Sequence, residues 1–316
     1  MRIGIDAFGG DFAPENPLRG VALALPELLA EVEVWLIGKT SEIQATAQRI
    51  GLPLRPPIYL IDAQEVIEMD ENPARSIVQK PNSSIAVGIQ ALKEKSLDVF
   101  ISAGNTGAVV AASVLKLGNL PGVSRPTLGA FYPYGENNYS LICDVGANVD
   151  CKPEHLVQFA QLGTVFMREI FGIERPRVAL LNIGEESSKG NLVAQQAYAL
   201  LQQHPQIYFI GNAEGRVLTK GFADVYVVDG FVGNILLKFG ESLYELLREK
   251  VPSNPLLERL NYENIGGLPF IGAQGNVIIG HGISSPKAFR NMIRRAVLVV
   301  QARLTEKIAT AFRAHA

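Results

Sequence analysis

Asn105 and Thr106 stand between Gly104 and Gly107, just after the apolar run Asp98 to Ile101 and just before an Ala/Val/Leu stretch. That order reads as strand, glycine loop and helix, so backbone amides and short polar side chains would gather at a helix N-terminus. Such a place suits a phosphate or another anion. The same residues have a structural use as well, a left-handed turn at Asn105 and a helix cap at Thr106. Lys189, between Ser188 and Gly190, would either supply a cation to an anionic ligand or stand solvated on its loop, with Asn191 two residues on. His281 lies between Gly280 and Gly282 at the end of another apolar run, with Ser284 and Ser285 beyond it. An imidazole there can donate or relay a proton near neutral pH. Asp6, Asp11, Asp144, Asp150 and Asp229 sit in comparable loops, where most aspartates cap turns and helices.

Several familiar chemistries lack their signatures. No GxGxxG follows a strand-like run, so the usual dinucleotide fingerprint is missing. In Gly184-Glu185-Glu186-Ser187-Ser188-Lys189-Gly190 the lysine precedes the second glycine and Asn191 replaces Ser/Thr, so the P-loop pattern fails. His155, His204, His281 and His315 are scattered without an HExxH pair, which gives a metal site little support. No GxSxG nucleophile elbow occurs. Cys143 and Cys151 form neither a disulfide framework nor a metal-type spacing and read as reduced thiols of a cytoplasmic protein.

The elements that must position these residues repeat one pattern: a short apolar run, a small polar loop, a longer helical stretch. The runs are Ile3 to Ile5, Val34 to Ile37, Ile58 to Ile61, Asp98 to Ile101, Ser140 to Cys143, Val178 to Leu181, Ile207 to Ile210, Val225 to Val228 and Asn276 to Ile279. This alternation predicts an α/β fold with a mainly parallel sheet flanked by helices. Ligands of such sheets bind outside the carboxyl ends of the strands, where the polar loops collect. Pro153 fits the first turn of a helix, and Ser285-Pro286 makes an N-cap and first-turn pair. Pro252 to Pro269 breaks the rhythm and predicts an insertion or a subunit contact outside the sheet core. One final helix is expected over roughly 286–312, carrying Arg290, Arg294, Arg295, Arg303 and Lys307 as a solvated face or as a surface for an acidic partner.

The chain has 316 residues, 47% hydrophobic and 19% charged, with a formal net charge of −2. It can bury a sizeable core and lacks the basic excess of a dedicated nucleic-acid binder. Asp6 comes too early for a signal peptide, and no run approaches the roughly 18 apolar residues that span a bilayer.

Longer motifs then fall into a recognisable series. Asp6-Ala7-Phe8-Gly9-Gly10-Asp11 with Ala13-Pro14 resembles the opening of the bacterial phosphate acyltransferase family, the acyl-carrier-protein:phosphate transacylases of phospholipid synthesis. Phe8 stands where that family usually has methionine. Glu65-Val66-Ile67, Pro73 and Ser83-Ser84 are similar to its next segment, and Ser102 to Ala108 matches its SAGNTGA signature. Asp144 to Asp150 with Pro153-Glu154-His155-Leu156, Leu180 to Asn191, Gly211 to Arg216, Asp229 to Asn234 and His281-Gly282 continue the resemblance in order.

The resemblance covers nearly the whole chain. It implies two lobes around a cleft, as in isocitrate and isopropylmalate dehydrogenases and phosphotransacetylases, with lobes of about 1–120 plus 285–316 and 121–284. It implies transfer of a long-chain acyl group from acyl carrier protein to inorganic phosphate, no metal or redox cofactor, and a homodimer. The residues it points to are His281, Lys189 and Asn105 for catalysis. Gly104, Thr106, Gly107, Asn191, Asn212, Asp229, Asn234, Ser284 and Ser285 are expected to bind phosphate or substrate. The family's longer helical hairpin, which touches the membrane surface, is short and proline-interrupted here at 251–265, so only weak peripheral contact through Leu256, Leu257 and Leu260 is expected. Rival readings are a short-chain phosphotransacetylase, an NAD-dependent dehydrogenase of the same fold, a Cys143 or Cys151 acyl-enzyme, and a scaffold that binds acyl carrier protein without turnover.

Overall fold

The computed structural model describes residues 1–252 and 254–313; His315 lies outside them. In chain order the strands are β1 (Arg2–Asp6), β2 (Glu33–Gly38), β3 (Ile58–Asp62), β4 (Val99–Ser102), β5 (Thr127–Tyr134), β6 (Asn138–Cys143), β7 (Arg177–Leu181), β8 (Tyr208–Ala213), β9 (Val225–Val227), β10 (Leu268–Ile271) and β11 (Asn276–Ile279). The helices are α1 (Glu15–Ala24), α2 (Thr40–Ile50), α3 (Pro73–Gln79), α4 (Ser84–Lys93), α5 (Thr106–Ala112), α6 (Pro153–Phe171), α7 (Leu192–Gln203), α8 (Gly230–Arg248), α9 (Pro255–Glu258), α10 (Tyr262–Ile265), α11 (Pro286–Gln301) and α12 (Leu304–Arg313).

The first of two compact units contains Met1–Asn119 and Tyr262–Thr305. Its strands run in the order β3-β2-β1-β4-β11-β10. All neighbours are parallel except β10, which runs antiparallel to β11. Ile3, Ile5, Val34, Leu36, Val99, Phe100 and Ile101 are buried, as expected of parallel strands covered on both faces. Helix α11 buries Phe289, Met292, Ile293 and Ala296 and packs on α1.

The second unit contains Leu120–Asn261 and the described residues from Glu306 to Arg313, with strand order β5-β6-β9-β7-β8. Strands β5 and β6 form an antiparallel hairpin, and β6, β9, β7 and β8 are parallel. The long helix α6 lays Leu156, Phe159, Leu162 and Phe166 into this core, starts on Pro153 and ends at the left-handed Gly172. Arg177 and Asp224 form a two-pronged ion pair, with a bond of 2.9 Å between Nη2 and Oδ1, that joins β7 to the approach to β9.

Four expectations need correction. The stretch 252–269 is partly sheet: β10 is buried throughout and pairs Pro269 with Ile278. The antiparallel β5 is a further strand, hidden because the eye follows βα alternation. The final helix is two helices, because Arg303 adopts a left-handed φ of 53° and turns the chain between α11 and α12. Residues 262–284 group with the first unit, since β11 pairs with β4, and residues 306–313 with the second.

Candidate active site

In the first unit, β1, β4 and β11 end side by side, so their loops share one sheet edge. Asp6 closes β1. It is buried, and burial raises its pKa against the pull of hydrogen bonds from Ser84 and Ser102. Ser102 at the end of β4 donates its hydroxyl to Asp6 Oδ2 at 2.7 Å and accepts the amide of Gly104 at 3.1 Å. Asp11 donates its amide to the carbonyl of Gly282 at 2.8 Å, and Gly280 to that of Ser102 at the same distance. Thus the loops after β1, β4 and β11 are tied to one another.

Asn105 is the N-cap of α5. Its Oδ1 accepts the amide of Ala108 at 3.0 Å, and its Nδ2 lies 3.1, 3.2 and 3.1 Å from the carbonyl oxygens of Glu68, Met69 and Glu71. The side chain is therefore fully engaged in holding segment 68–71 on the start of α5. Neither expected structural alternative is met: Asn105 has a φ of −54° and does the capping itself, and Thr106 is the first helical residue. The Thr106 hydroxyl makes no hydrogen bond among the described residues and is half-buried. A β-carbon on Gly107 would lie 2.5 Å from Pro73 Cγ, so this glycine serves the contact of α5 with α3. Glu71 carries the other end of the segment. The Glu68 amide, then Lys80 and Ser76, hold its carboxyl down to about 2.

Ser285 caps α11 by accepting the amide of Ala288 at 3.3 Å, and the buried Ser284 donates its amide to the carbonyl of His281 at 2.9 Å. The His281 ring meets Tyr262 edge-to-face at 5.3 Å between centroids, and the Tyr262 hydroxyl donates to the carbonyl of Ile283. The two side chains flank the loop after β11.

In the second unit the matching edge is built from the ends of β6, β9 and β7. Asp144, fully buried, accepts Leu128 N and Asn148 N at 2.6 Å each and Thr127 Oγ1 at 3.1 Å. Burial raises its pKa too. This carboxylate fixes the loop on which α8 rests. A β-carbon on Gly230 would lie 2.4 Å from Asp144 Oδ2, and one on Gly233 only 1.8 Å from Asp144 O, so no side chain fits at either place. Asp229 caps α8 through Val232 N at 2.9 Å, and Asn191 caps α7 through Ala194 N at 2.8 Å. The buried Asn212 accepts from Asn182 at 3.2 Å and donates to the carbonyl of Glu186 at 2.7 Å, while Asn182 also donates to the carbonyl of Lys189. These two side chains shape the loop 182–191. At its end Lys189 Nζ is half-exposed, 3.9 Å from Glu186. The side chain of Asn234 is exposed beside Gly146.

Comparison with known proteins gives a consistent answer. The model of the family described as "Fatty acid synthesis protein" matches residues 1–307. The chain belongs to the fatty acid synthesis protein family. A phosphate acyltransferase of Dictyoglomus thermophilum is 42% identical over 327 aligned residues, covering 98% of this chain and 96% of that one. A phosphate acyltransferase of Gloeothece citriformis is 43% identical over 328, covering 97% and 92%. Among solved structures, a phosphotransacetylase from Streptococcus pyogenes superimposes with a TM-score of 0.66 at 18% identity, over 97% of this chain and 94% of that one. The EutD phosphotransacetylase from Staphylococcus aureus gives 0.62 at 18%, over 96% and 94%. At that identity the likeness establishes the fold, a mostly parallel α/β architecture shared with phosphotransacetylases.

For this member of the family, the expected residues fall into two sets, one on each unit. Gly104, Asn105, Thr106, Gly107, His281, Ser284 and Ser285 gather in the first, and Lys189, Asn191, Asn212, Asp229 and Asn234 in the second. The side-chain oxygens of Asn105, Asn191, Asp229 and Ser285 are occupied as helix caps, which leaves further first-turn amides pointing outward. Residues that sequence reasoning missed are supporting ones: Ser102, Thr127, Asn148, Asn182 and Tyr262. Ser102, Asn148 and Asn182 lie inside the motifs already quoted, but the bonds that give them their use, such as Ser102 to Asp6 and Asn182 to Asn212, are set by packing.

Other expectations are clarified here. Burial, then the Asp144 charge, pushes the Cys151 thiol up to about 12, and burial drives that of Cys143 upward as well. Arg290 and Arg294 both pair with Glu27, and Lys307 pairs with Glu169, so much of the basic terminal face is already neutralised. Among the described residues no group of three or more His, Cys, Asp or Glu is arranged to hold a metal, and no helix is long and apolar enough to cross a membrane. Within 251–265, Leu257 is buried and Leu260 half-buried, leaving Leu256 as the exposed leucine of the three.

Proposed function

We propose that this phosphate acyltransferase moves a long-chain fatty acyl group from the thioester of acyl carrier protein onto inorganic phosphate, supplying acyl-phosphate for phospholipid synthesis. The observation that carries the reading is the clustering of capped helix N-termini at the strand ends, α5 and α11 in one unit and α7 and α8 in the other. Each cap engages one or two amides and leaves the remaining first-turn N–H groups to an anion. Phosphate and a developing oxyanion are what this reaction must hold.

In the proposed step a phosphate oxygen attacks the thioester carbonyl, the C–S bond breaks, and the proton of hydrogen phosphate ends on the departing thiolate. Acyl-phosphate and the free carrier thiol result. On the first unit Thr106 offers its hydroxyl to phosphate and His281 carries the proton; on the second Lys189 offers a cation to an anionic group, and the helix amides of each suit phosphate or the oxyanion. Asn105 positions the groups of the first unit, where Ser284 and Ser285 face substrate, and Asn191, Asn212 and Asp229 position those of the second, where Asn234 does so. The raised thiols favour direct attack over an acyl-cysteine route.

A homodimer fits the same reading. Phe231, Ile235, Phe239 and Leu246 form an exposed stripe along α8, whose other face already buries Gly233, Leu237 and Tyr244. A helix apolar on both faces calls for a second partner. Purified protein, palmitoyl-acyl-carrier protein and phosphate are to be mixed and the product trapped with hydroxylamine. Phosphate-dependent hydroxamate supports the transferase; its absence, with the carrier still bound, turns the reading to a scaffold.

A further inference from the structure

The carboxyl ends of β7 and β9 border more than helix caps. Between them and the first turns of α6, α7 and α8 lies a cavity of about 280 Å³, lined entirely by residues of the second unit. Its walls include Leu156, Leu180, Val193, Ala194, Val228 and Leu236. The polar members of the wall are turned to the backbone. Asn182 Oδ1 accepts the amide of Ile183 at 2.8 Å, and Asn191 and Asp229 spend their oxygens on Ala194 and Val232. Ile183, also in the wall, is 80% exposed, and Leu192, beside Asn191, is 75% exposed. Such apolar side chains left in water beside an apolar hollow mark a binding surface for a hydrocarbon. The larger cavity beside Trp35, of about 610 Å³, belongs to the first unit and sets Arg2, Glu94 and Lys116 among its apolar neighbours.

We infer that the cavity under Val193, Ala194 and Leu236 receives the fatty acyl chain, with the chain's carbonyl end toward the N-termini of α7 and α8. The inference rests on the proposed acyl transfer and adds where the hydrocarbon lies. A nucleotide or a polar carrier arm would need several donors aimed into the hollow, whereas its wall carries three polar side chains, of which Asn182 gives its amide to Asn212 and to the Lys189 carbonyl. A methylene chain needs only apolar walls, and the helix ends at the mouth suit the one polar group it carries. Position 194 then limits how much chain enters, because a larger side chain there would project into the space.

Two measurements on the full-length protein test this. The first is direct binding of the fluorescent polyene fatty acid cis-parinarate, which needs no turnover. The second is the ratio of kcat/KM for palmitoyl- over octanoyl-acyl-carrier protein. Ala194→Phe is expected to weaken parinarate binding and to lower the palmitoyl-to-octanoyl ratio, each by at least about tenfold. Val193→Ala, a gentler change, is expected to move the preference toward longer chains. A folded Ala194→Phe protein with both readings unchanged overturns the inference. If that variant does not fold, an unchanged chain-length profile in Val193→Ala overturns it instead. Failure of the functional proposal looks different: no turnover of any carrier thioester by the parent protein, whatever parinarate does.

Discussion

Asn105 donates its side-chain amide to the carbonyl of Glu71 at 3.1 Å while its own oxygen caps α5. One short side chain thus joins two segments 34 residues apart, and the glycine loop takes its shape from that junction. An amide does this because it offers a donor and an acceptor at once; the isosteric carboxylate offers only acceptors.

Asn105→Asp is therefore expected to keep the cap and lose the latch, setting a charge against three carbonyl oxygens. A destabilisation of about 2–3 kcal/mol follows from leaving buried polar groups mismatched. Urea unfolding measures it, and kcat/KM should fall further than stability alone explains. A variant as stable as the parent would show that segment 68–71 holds without Asn105.

His281→Ala should lower kcat by about 100-fold, the usual contribution of a positioned acid or base, with little change in Tm. Tyr262→Phe keeps the edge-to-face contact and removes the hydrogen bond to Ile283. Its effect on kcat should stay within about threefold, since an exposed neutral hydrogen bond contributes little. Steady-state kinetics decide both; parental kcat in His281→Ala would leave the histidine a structural part of the loop.

Acid stability should report on Glu27. The Arg290 and Arg294 side chains lower its carboxyl from 4.5 to about 2. Because the folded pKa is depressed, its stabilising contribution is present above the unfolded value and fades as pH falls from 4.5 toward 2. Glu27→Gln should therefore unfold at lower urea than the parent at pH 7, and the two midpoints should converge near pH 2. Parallel curves across that range contradict the linkage.

Replacing both Cys143 and Cys151 by Ser should leave turnover within about twofold, since a thiol raised well above neutral pH supplies almost no thiolate. At pH 7 Cys151 should also resist iodoacetamide in the folded protein. Loss of acyl transfer in a folded double variant would revive a covalent intermediate.

Phe239→Glu places a charge in the middle of the exposed stripe on α8. Analytical ultracentrifugation should show a shift from dimer toward monomer with unchanged circular dichroism. A monomeric parent protein would rule out the proposed pairing.

Nine strands were legible because each is a short apolar run closed by a small polar loop, and those loops carry most of the residues proposed for the site. Pro269 concealed β10, because a proline inside an apolar run argues against a central strand, and its partner β11 lies beyond Gly272 and Gly275. Arg303 gave no warning of a left-handed turn, since arginine is an ordinary helix former. Motif reading found Asn105, Asn191, Asp229 and Ser285 but could not say that their oxygens face their own helices. That depends on which amide lies three residues on and on distant carbonyls such as those of 68–71. Tyr262 and Asn182 were invisible as site residues for the same reason: their partners are set by tertiary packing.

The strand order carries a consequence for synthesis. The first unit needs β11 between β4 and β10, yet β11 emerges from the ribosome only after all of Leu120–Asn261. Its earlier strands, β1 to β4, must wait with the edge of β4 uncovered while more than a hundred residues are translated. At about 5–20 residues per second that interval lasts roughly ten to thirty seconds. Throughout it the nascent chain presents an open apolar sheet edge to whatever is nearby. Production of this protein should accordingly depend on translation speed and chaperone supply more than its native stability suggests.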